Sequence, residues 1–150
     1  MYERRFRVDP MNNVWADLVS MDAAAARLKP SHSAAVPRYV ERLAVRSVGR
    51  VAIVPVAQIV RLEAADNYVR LFADRTYLLR RTLTRVAGLL DPAVFLRIHR
   101  SHVINMRRVR ELSPRAHGEF SIALDDGSEI TSSRSYRGPI QLRFGLLSGL

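Results

Sequence analysis

The residues best suited to chemistry lie together in residues 95–105, which read Phe-Leu-Arg-Ile-His-Arg-Ser-His-Val-Ile-Asn. Apolar residues on both sides are typical of a buried strand, but the centre of the segment, His99, Arg100 and Ser101, is polar. Burying such donors without partners costs several kcal/mol, so they must face solvent, one another or a ligand. Because the segment carries Arg, His and Ser but no acidic residue, we expect a negatively charged ligand, with phosphate as the leading candidate.

A hydrolytic site is the first alternative, with Ser101 as the nucleophile and His99 or His102 as the base. His99 and Ser101 would share one face of a strand, but no nearby carboxylate orients the base and no Gly-x-Ser-x-Gly turn exposes the hydroxyl. A metal pair is disfavoured because His99 and His102, three residues apart, would point to opposite faces of a strand. We therefore predict a protein that is not an enzyme and that holds neither a metal nor a cofactor.

The composition is that of a globular protein. A chain of 150 residues with 48% hydrophobic residues is long enough for one domain with a core and an appended segment. The absence of cysteine excludes a disulfide scaffold and thiolate metal sites, and it fits a reducing cytoplasm. The most apolar run, residues 51–60, is too short to span a bilayer and contains Pro55 and Gln58. These features predict a soluble, cytoplasmic protein with no membrane partner.

The positive charge is concentrated after the first 41 residues. Of the net charge of +10, residues 42–150 contribute +9 (18 Arg against 9 acidic residues) and residues 1–41 contribute +1 (6 cationic against 5 acidic). Such an excess on one domain is typical of a protein that binds a polyanion, although an acidic protein surface or anionic lipid would also complement it.

An amphipathic helix is predicted near the N-terminus, beginning at Asp9-Pro10 and ending at Lys29-Pro30. Its apolar seam is two heptads long and consists of Val14, Leu18, Met21, Ala25 and Leu28. The seam could pack on the chain's own basic domain or form a homodimer, and the two alternatives stay open. Residues 31–37 have the composition of a linker, so we divide the chain into residues 1–36, helix and linker, and residues 37–150, a basic domain.

The basic domain shows the alternation of β-strands. We predict a hairpin of residues 43–48 and 51–54 closed by a two-residue type II′ loop at Gly49-Arg50, and further strands at residues 58–63, 68–72 and 76–80. Thr82 can cap a short internal helix that ends at Asp91-Pro92. Near the C-terminus, a three-residue loop at residues 125–127 would pair Ile122 with Ile130. The domain is therefore predicted to be mostly β and antiparallel.

Three polar clusters, residues 66–68, 99–101 and 133–135, each follow the end of an apolar strand pattern. Loops emerge at such positions, so we expect the three clusters at one edge of a sheet. Arg can form a fork onto guanine and Asn onto adenine, while Ser hydroxyls and further Arg side chains can hold phosphates. The clusters thus predict an interface with nucleic acid.

The same segments resemble the successive sequence blocks of the LytTR DNA-binding domain. The blocks are residues 56–64, 66–71, 79–83, 95–105 and 126–136, and the resemblance covers about residues 43–144. It implies an elongated antiparallel β-sheet domain with one short internal helix, here preceded by the N-terminal amphipathic helix. It also implies loops that enter the major groove of double-stranded promoter DNA, usually as the output half of a bacterial response regulator.

Carried over by position, the resemblance divides the site residues into two groups. The residues that would contact DNA bases are Asn67, Tyr68, Val69, Arg100 and Arg134. The residues that it would place near the DNA backbone are Ser101, Ser133 and Tyr136. Beyond what the resemblance implies, we also predict DNA-backbone contacts for Arg70, Arg80, Arg81, Arg97 and His99. Asn105 is expected to fix a turn instead.

One feature departs from the family's response regulators, which carry an N-terminal phosphoacceptor receiver domain. The first 40 residues are too few to form one, so phosphorylation control within the chain is not expected, and the alternatives of a stand-alone regulator and a fragment stay open. We predict a sequence-specific, DNA-binding transcriptional regulator. The alternative is a basic interaction module that binds RNA or an acidic protein partner.

Overall fold

The structure, a computed structural model, describes residues 38–146. The predicted N-terminal helix, and with it the homodimer hypothesis, lies outside the described residues. The chain divides into two compact units, of which the first ends at Ala57 and the second begins at Gln58. Within residues 38–146 there is no helix long and apolar enough to cross a bilayer.

The described part of the first unit is a β-hairpin of β1 (Arg42–Ser47) and β2 (Arg50–Pro55). Ser47 pairs with Arg50, so the two-residue loop is Val48-Gly49 and the predicted loop at Gly49-Arg50 is wrong by one residue. Gly49 has a φ of +77° and takes the second loop position, as in a type II turn, rather than the first position of a type II′ turn. Valine on both sides of the loop allowed either register.

The larger sheet of the second unit has five antiparallel strands in the order β5-β4-β3-β7-β6. They are β3 (Arg61–Ala65), β4 (Tyr68–Phe72), β5 (Thr76–Leu79), β6 (Phe95–His99) and β7 (His102–Asn105). The polar centre of residues 95–105 is therefore a tight turn, Arg100-Ser101, between two paired strands.

The smaller sheet has three antiparallel strands, β8 (Val109–Pro114), β9 (Phe120–Leu124) and β10 (Glu129–Thr131), in the order β10-β9-β8. Ile130 pairs with Ile122, which confirms the three-residue loop at residues 125–127. Gly127 closes this loop with a φ of +90°, and its N–H donates to the carbonyl oxygen of Leu124 at 3.0 Å. Glycine takes such a positive φ without the steric cost that a side chain would add.

Two short α-helices complete the second unit, α1 (Leu83–Ala87) and α2 (Arg137–Arg143). Thr82 caps α1 as predicted, since its Oγ1 accepts from the N–H of Arg85 at 3.2 Å. α1 ends at Ala87 with Gly88 as its C-cap, earlier than the predicted end at Asp91-Pro92, and α2 lies in the tail that the sequence left unassigned. The architecture is mostly β with antiparallel sheets, which confirms the predicted fold class.

The two sheets of the second unit share an apolar core. The five-stranded sheet, with the residue before it, contributes Val60, Leu96, Ile98 and Ile104, and the three-stranded sheet contributes Phe120, Ile122, Leu124 and Ile130, with Ile140 of α2. Burying each such side chain stabilises the folded state by about 1.5 to 3 kcal/mol relative to leaving it exposed to water. The other face of the larger sheet carries Leu62, Leu71 and Val103, all buried, and α1 contacts this sheet at β3.

Asn105 ends β7 and is almost fully buried, at 2% exposure. Its Nδ2 donates to the carbonyl oxygen of Ile59 at 2.9 Å, and its Oδ1 accepts from the N–H of Arg107 at 2.9 Å. The side chain therefore begins the short 3₁₀ turn at Met106–Arg108 and ties it to the segment before β3, so the predicted turn role is confirmed.

Candidate nucleic-acid interface

Polar residues gather at one end of the five-stranded sheet, which we call the loop end. It carries the β3–β4 turn at Asp66-Asn67 and the β6–β7 turn at Arg100-Ser101, since Ala65 pairs with Tyr68 and His99 with His102. Residues 80–81 follow β5 at the same end, because Leu79 pairs with Val69 at the start of β4. These three segments come from separate parts of the sequence, and the antiparallel order of the sheet places them side by side.

The third polar cluster, residues 133–135, also reaches the loop end. The N–H of Ser133 donates to the carbonyl oxygen of Ile98 at 2.9 Å, which joins the exit of β10 to the last part of β6. An open groove of about 590 Å³ lies beside this joint and is lined by His99, Ser133 and Arg134, among others. The structure therefore brings together all three clusters that the sequence singled out.

The β3–β4 turn presents two of its three predicted base-contacting side chains. Asp66 takes a positive φ of 55°, which Asp tolerates better than most residues, and Asn67 is exposed. Tyr68 is 41% exposed. Val69, by contrast, is fully buried at 0% exposure, because the alternation of β4 places it on the same buried face of the sheet as Leu71. The side chain of Val69 is therefore not available to a base.

The β6–β7 turn is organised by histidine. The Nδ1 atom of His99 accepts from the N–H of Ser101 at 3.0 Å, which leaves Nε2 as the ring nitrogen that can donate to a ligand. The rings of His99 and His102 contact edge to face, with centroids 5.2 Å apart. The expectation that they point to opposite faces is wrong because the two residues are partners on adjacent strands.

His102 is half-buried beside Glu63, its partner on β3. Burial lowers the pKa of His102 below its ordinary value of 6.5, the Glu63 carboxylate opposes that shift, and the neighbouring His99 and Arg61 add to it. The His102 imidazole is therefore neutral at neutral pH and adds no positive charge behind the turn.

Arg97 is half-buried, and its guanidinium donates to three acceptors of the protein itself. Its Nη1 donates to Oγ1 of Thr84 on α1 at 2.9 Å, its Nε donates to the carbonyl oxygen of His99 at 3.4 Å, and its Nη2 donates to the carbonyl oxygen of Arg100. None of these three acceptors is a carboxylate, so the guanidinium keeps its net charge while its donors are engaged by the protein.

The other predicted backbone residues differ in how far they reach solvent. Arg80 is exposed, as is the predicted base-contacting Arg134, whereas Arg81 is half-buried and its Nη1 donates to the carbonyl oxygen of Arg80 at 3.0 Å. Burial, and secondarily the charge of Arg85, lowers the pKa of Arg81. Arg70 is exposed but forms an ion pair with Glu63 at 3.2 Å, which offsets part of its charge.

Ser101 and Tyr136 serve the fold as well as the surface. The carbonyl oxygen of Ser101 accepts from the N–H of Ala64 at 2.9 Å, and the Tyr136 ring packs against the core shared by the two sheets. The N–H of Tyr136 also donates to the carbonyl oxygen of Ser133 at 2.9 Å. Both side chains are half-buried, so each can offer only its polar tip to a ligand.

Two residues at the loop end, Thr84 and His117, were not predicted from the sequence. Thr84 lies 13 residues from Arg97 and carries no motif of its own. His117 lines the groove and has a positive φ of 62°, followed by Gly118 at 82°. Only the His-Gly pair in a polar stretch hinted at this turn. Among residues 38–146, no group of three or more His, Cys, Asp or Glu is arranged to hold a metal ion.

The sequence of the chain matches a known protein family. Residues 49–145 match the family model described as the LytTr DNA-binding domain. The chain belongs to the LytTR family. The match spans β2 and the whole described part of the second unit except its last residue, so it includes all four segments of the loop end.

Relatives are found among bacterial regulators. The chain is 32% identical over 92 residues to "Sensory transduction protein LytT" of Bacillus subtilis, covering 60% of this chain and 38% of that protein. It is 24% identical over 137 residues to "Heme-containing CO-sensing transcriptional regulator RcoM 1" of Paraburkholderia xenovorans, covering 89% of this chain and 51% of that protein. The chain thus spans about half the length of these relatives or less.

A solved structure supports the fold. A LytTr DNA-binding domain from Bacillus cereus superposes with a TM-score of 0.66 at 24% identity, covering 71% of this chain and 99% of that one. The LytTR fold of this chain therefore agrees with both its sequence family and a solved LytTR domain.

Proposed function

We propose that this chain is a sequence-specific transcriptional regulator that reads the major groove of double-stranded promoter DNA with the loop end of its five-stranded sheet. The observation that carries the proposal is the convergence of residues 66–67, 80–81, 100–101 and 133–135 at that end. The LytTR family is a DNA-binding family, which supports DNA as the ligand.

Base reading falls to the exposed tips of the loops. We assign it to Asn67, Tyr68, Arg100 and Arg134, because a planar guanidinium can donate twice to guanine and a carboxamide can pair with adenine. All four side chains are exposed at the loop end. Val69 is left out of this group because it is buried.

We assign contacts with the DNA backbone to the flanking residues, which are Arg70, Arg80, Arg81, His99, Ser101, Ser133 and Tyr136. Guanidinium, hydroxyl and imidazole N–H groups are suitable donors to phosphate oxygens. With Nδ1 engaged by Ser101, His99 can offer its Nε2–H to such an oxygen. Arg97 is left out of this group because its donors already have partners within the protein.

The test is selection of bound duplexes from a random pool by the full chain, followed by competition with unrelated DNA at fixed salt. A protein that recognises a promoter should bind the selected duplex with an affinity about three to seven orders of magnitude higher than its affinity for unrelated DNA. A basic module for RNA or an acidic protein partner would yield no common sequence and would be displaced equally well by any duplex. Salt dependence alone does not distinguish the two, because both bind by charge.

Three further parts of the proposal concern the whole chain. The protein acts in the cytoplasm, where promoter DNA is found, and it acts by binding rather than by catalysis. A homodimer formed through the predicted seam of residues 14–28 would gain avidity on paired half-sites. Sedimentation of the full chain at micromolar concentration tests this, since a monomer there would contradict the dimer.

A further inference from the structure

The side chain of Arg97 holds both the β6–β7 turn and α1. Cross-strand pairing with Val103 places it on the face of the sheet that carries α1. From there one end of the guanidinium reaches Thr84 Oγ1 at 2.9 Å, while the other two donors reach the carbonyl oxygens of His99 and Arg100.

The backbone at this point needs such support. The pairing of β6 with β7 shifts register between Arg97 and His99, so the ladder is irregular immediately before the two-residue turn. A bulge of this kind leaves backbone groups without their regular partners and redirects the side chains that follow. The guanidinium donates to the carbonyl oxygens of His99 and Arg100, the two consecutive residues through which the chain passes from this irregular ladder into the turn.

We propose that Arg97 is a positioning residue: it fixes the backbone of the Arg100-Ser101 turn against α1 and thereby sets the direction in which Arg100 meets DNA bases. This inference rests on the proposed function, and it replaces a phosphate contact as the role of Arg97. The planar fork is the essential feature, since it bonds three acceptors in fixed directions. Lysine at this position would keep the charge but could not span Thr84 and both carbonyl oxygens.

Two amides report on the turn without any DNA. The N–H of Ser101 is bonded to His99 Nδ1, and the N–H of Ala64 is bonded to the carbonyl oxygen of Ser101. If Arg97 holds the turn, both amides should exchange with solvent faster in Arg97→Lys than in the wild type. The amide of Leu124, which closes the distant β9–β10 loop, serves as the internal reference.

The experiment compares the wild type, Arg97→Lys, Arg97→Gln, Thr84→Val and the control Arg107→Gln, all as full chains. Arg107 is exposed and lies beyond the opposite end of β7, so its variant removes an arginine charge away from the loop end. Dissociation constants are measured for the selected duplex and an unrelated one at several salt concentrations, with hydrogen exchange of the free proteins.

We expect Arg97→Lys and Arg97→Gln to reduce the preference for the selected duplex by about tenfold or more, within the range for one misplaced bidentate base contact. Affinity for the unrelated duplex and the salt slope should stay at the wild-type values. Thr84→Val should act in the same direction but less, because two of the three bonds remain.

The opposite pattern would overturn the inference. A phosphate contact predicts that Arg97→Gln weakens both duplexes equally and makes the salt slope shallower by about one, while Arg97→Lys binds as the wild type does. If the wild type shows no preference among duplexes, the proposed function fails, and hydrogen exchange alone then decides the role of Arg97. If the amides of Ser101 and Ala64 exchange at the wild-type rate in Arg97→Lys, Arg97 does not hold the turn.

Discussion

The N–H of Ala64 donates to the carbonyl oxygen of Ser101 at 2.9 Å, so the strand that leads into the Asp66-Asn67 turn is bonded to the turn that carries Arg100. This bond extends the β3–β7 ladder by one step beyond the pair of Glu63 and His102. Two proposed base-reading loops are thereby joined by a backbone hydrogen bond. Loops held at a fixed spacing are suited to contact bases that lie a fixed distance apart, whereas nonspecific attraction to phosphate charge needs no such spacing.

The first prediction concerns the two exposed arginines of the loop end. Arg100→Ala and Arg134→Ala should each weaken the selected duplex by about 1 to 3 kcal/mol and relax base choice at one position, because each removes one bidentate contact. The measurement is binding to the selected duplex and to its single-base variants. Equal losses on every sequence would show that these residues contact phosphate instead.

The second prediction concerns Arg80, which is exposed beside these loops at the end of β5. Arg80→Ala should make the salt slope shallower by about one and leave base preference unchanged, because a phosphate contact carries no sequence information. Titrations at several salt concentrations measure both quantities, with Arg107→Ala as the control at the opposite end of the sheet. A changed base preference in Arg80→Ala would move this residue into the base-reading group.

The third prediction separates Val69 from its exposed neighbours. Val69→Ala should lower the free energy of unfolding by about 1 to 3 kcal/mol, because a fully buried side chain is truncated, and should leave base preference unchanged in the folded protein. Val48→Ala is the matched control, since that valine is fully exposed in the β1–β2 loop. Denaturant unfolding measures both, and a loss of base preference without a loss of stability would restore Val69 as a DNA contact.

The fourth prediction follows from the lowered pKa of His102. Folding disfavours protonation of His102, so just below pH 6.5 the unfolded chain binds more protons at this residue than the folded chain does. The free energy of unfolding should therefore fall as the pH drops from above 6.5 through the lowered pKa of the folded chain. The stabilising effect of the neutral form is fully present above 6.5. Denaturant unfolding between about pH 5 and 8 should show a weaker slope in His102→Gln than in the wild type. Identical profiles would mean that His102 titrates alike in both states.

Local patterns predicted the parts of the fold where one register clearly buries the apolar side chains. The β9–β10 loop is such a case, because Ile122 and Ile130 can share a face only if the loop has three residues with Gly127 in the left-handed region. The β1–β2 loop is the opposite case. Valines at 45, 48, 51 and 54 satisfy several registers equally, so the loop was placed one residue too late.

The candidate site was predictable in its membership but not in its orientations. The resemblance placed Val69 in a reading loop, whereas the alternation of β4 buries it between exposed Tyr68 and Arg70. The hydrogen bonds of Arg97 could not be predicted from the sequence either. Thr84 comes within reach of Arg97 only because the segment between β5 and β6 folds as α1 beside the sheet. Sequence blocks indicate which residues share a surface, but side-chain direction depends on register and on partners far along the chain.

The most direct test of DNA reading by the loop end is to follow backbone amide chemical shifts of the full chain as the selected duplex is added. The account predicts the largest changes at Asn67, Arg100 and Arg134, and little change at Arg107 beyond the opposite end of the sheet. Changes concentrated around Arg107, with Asn67, Arg100 and Arg134 unaffected, would contradict it.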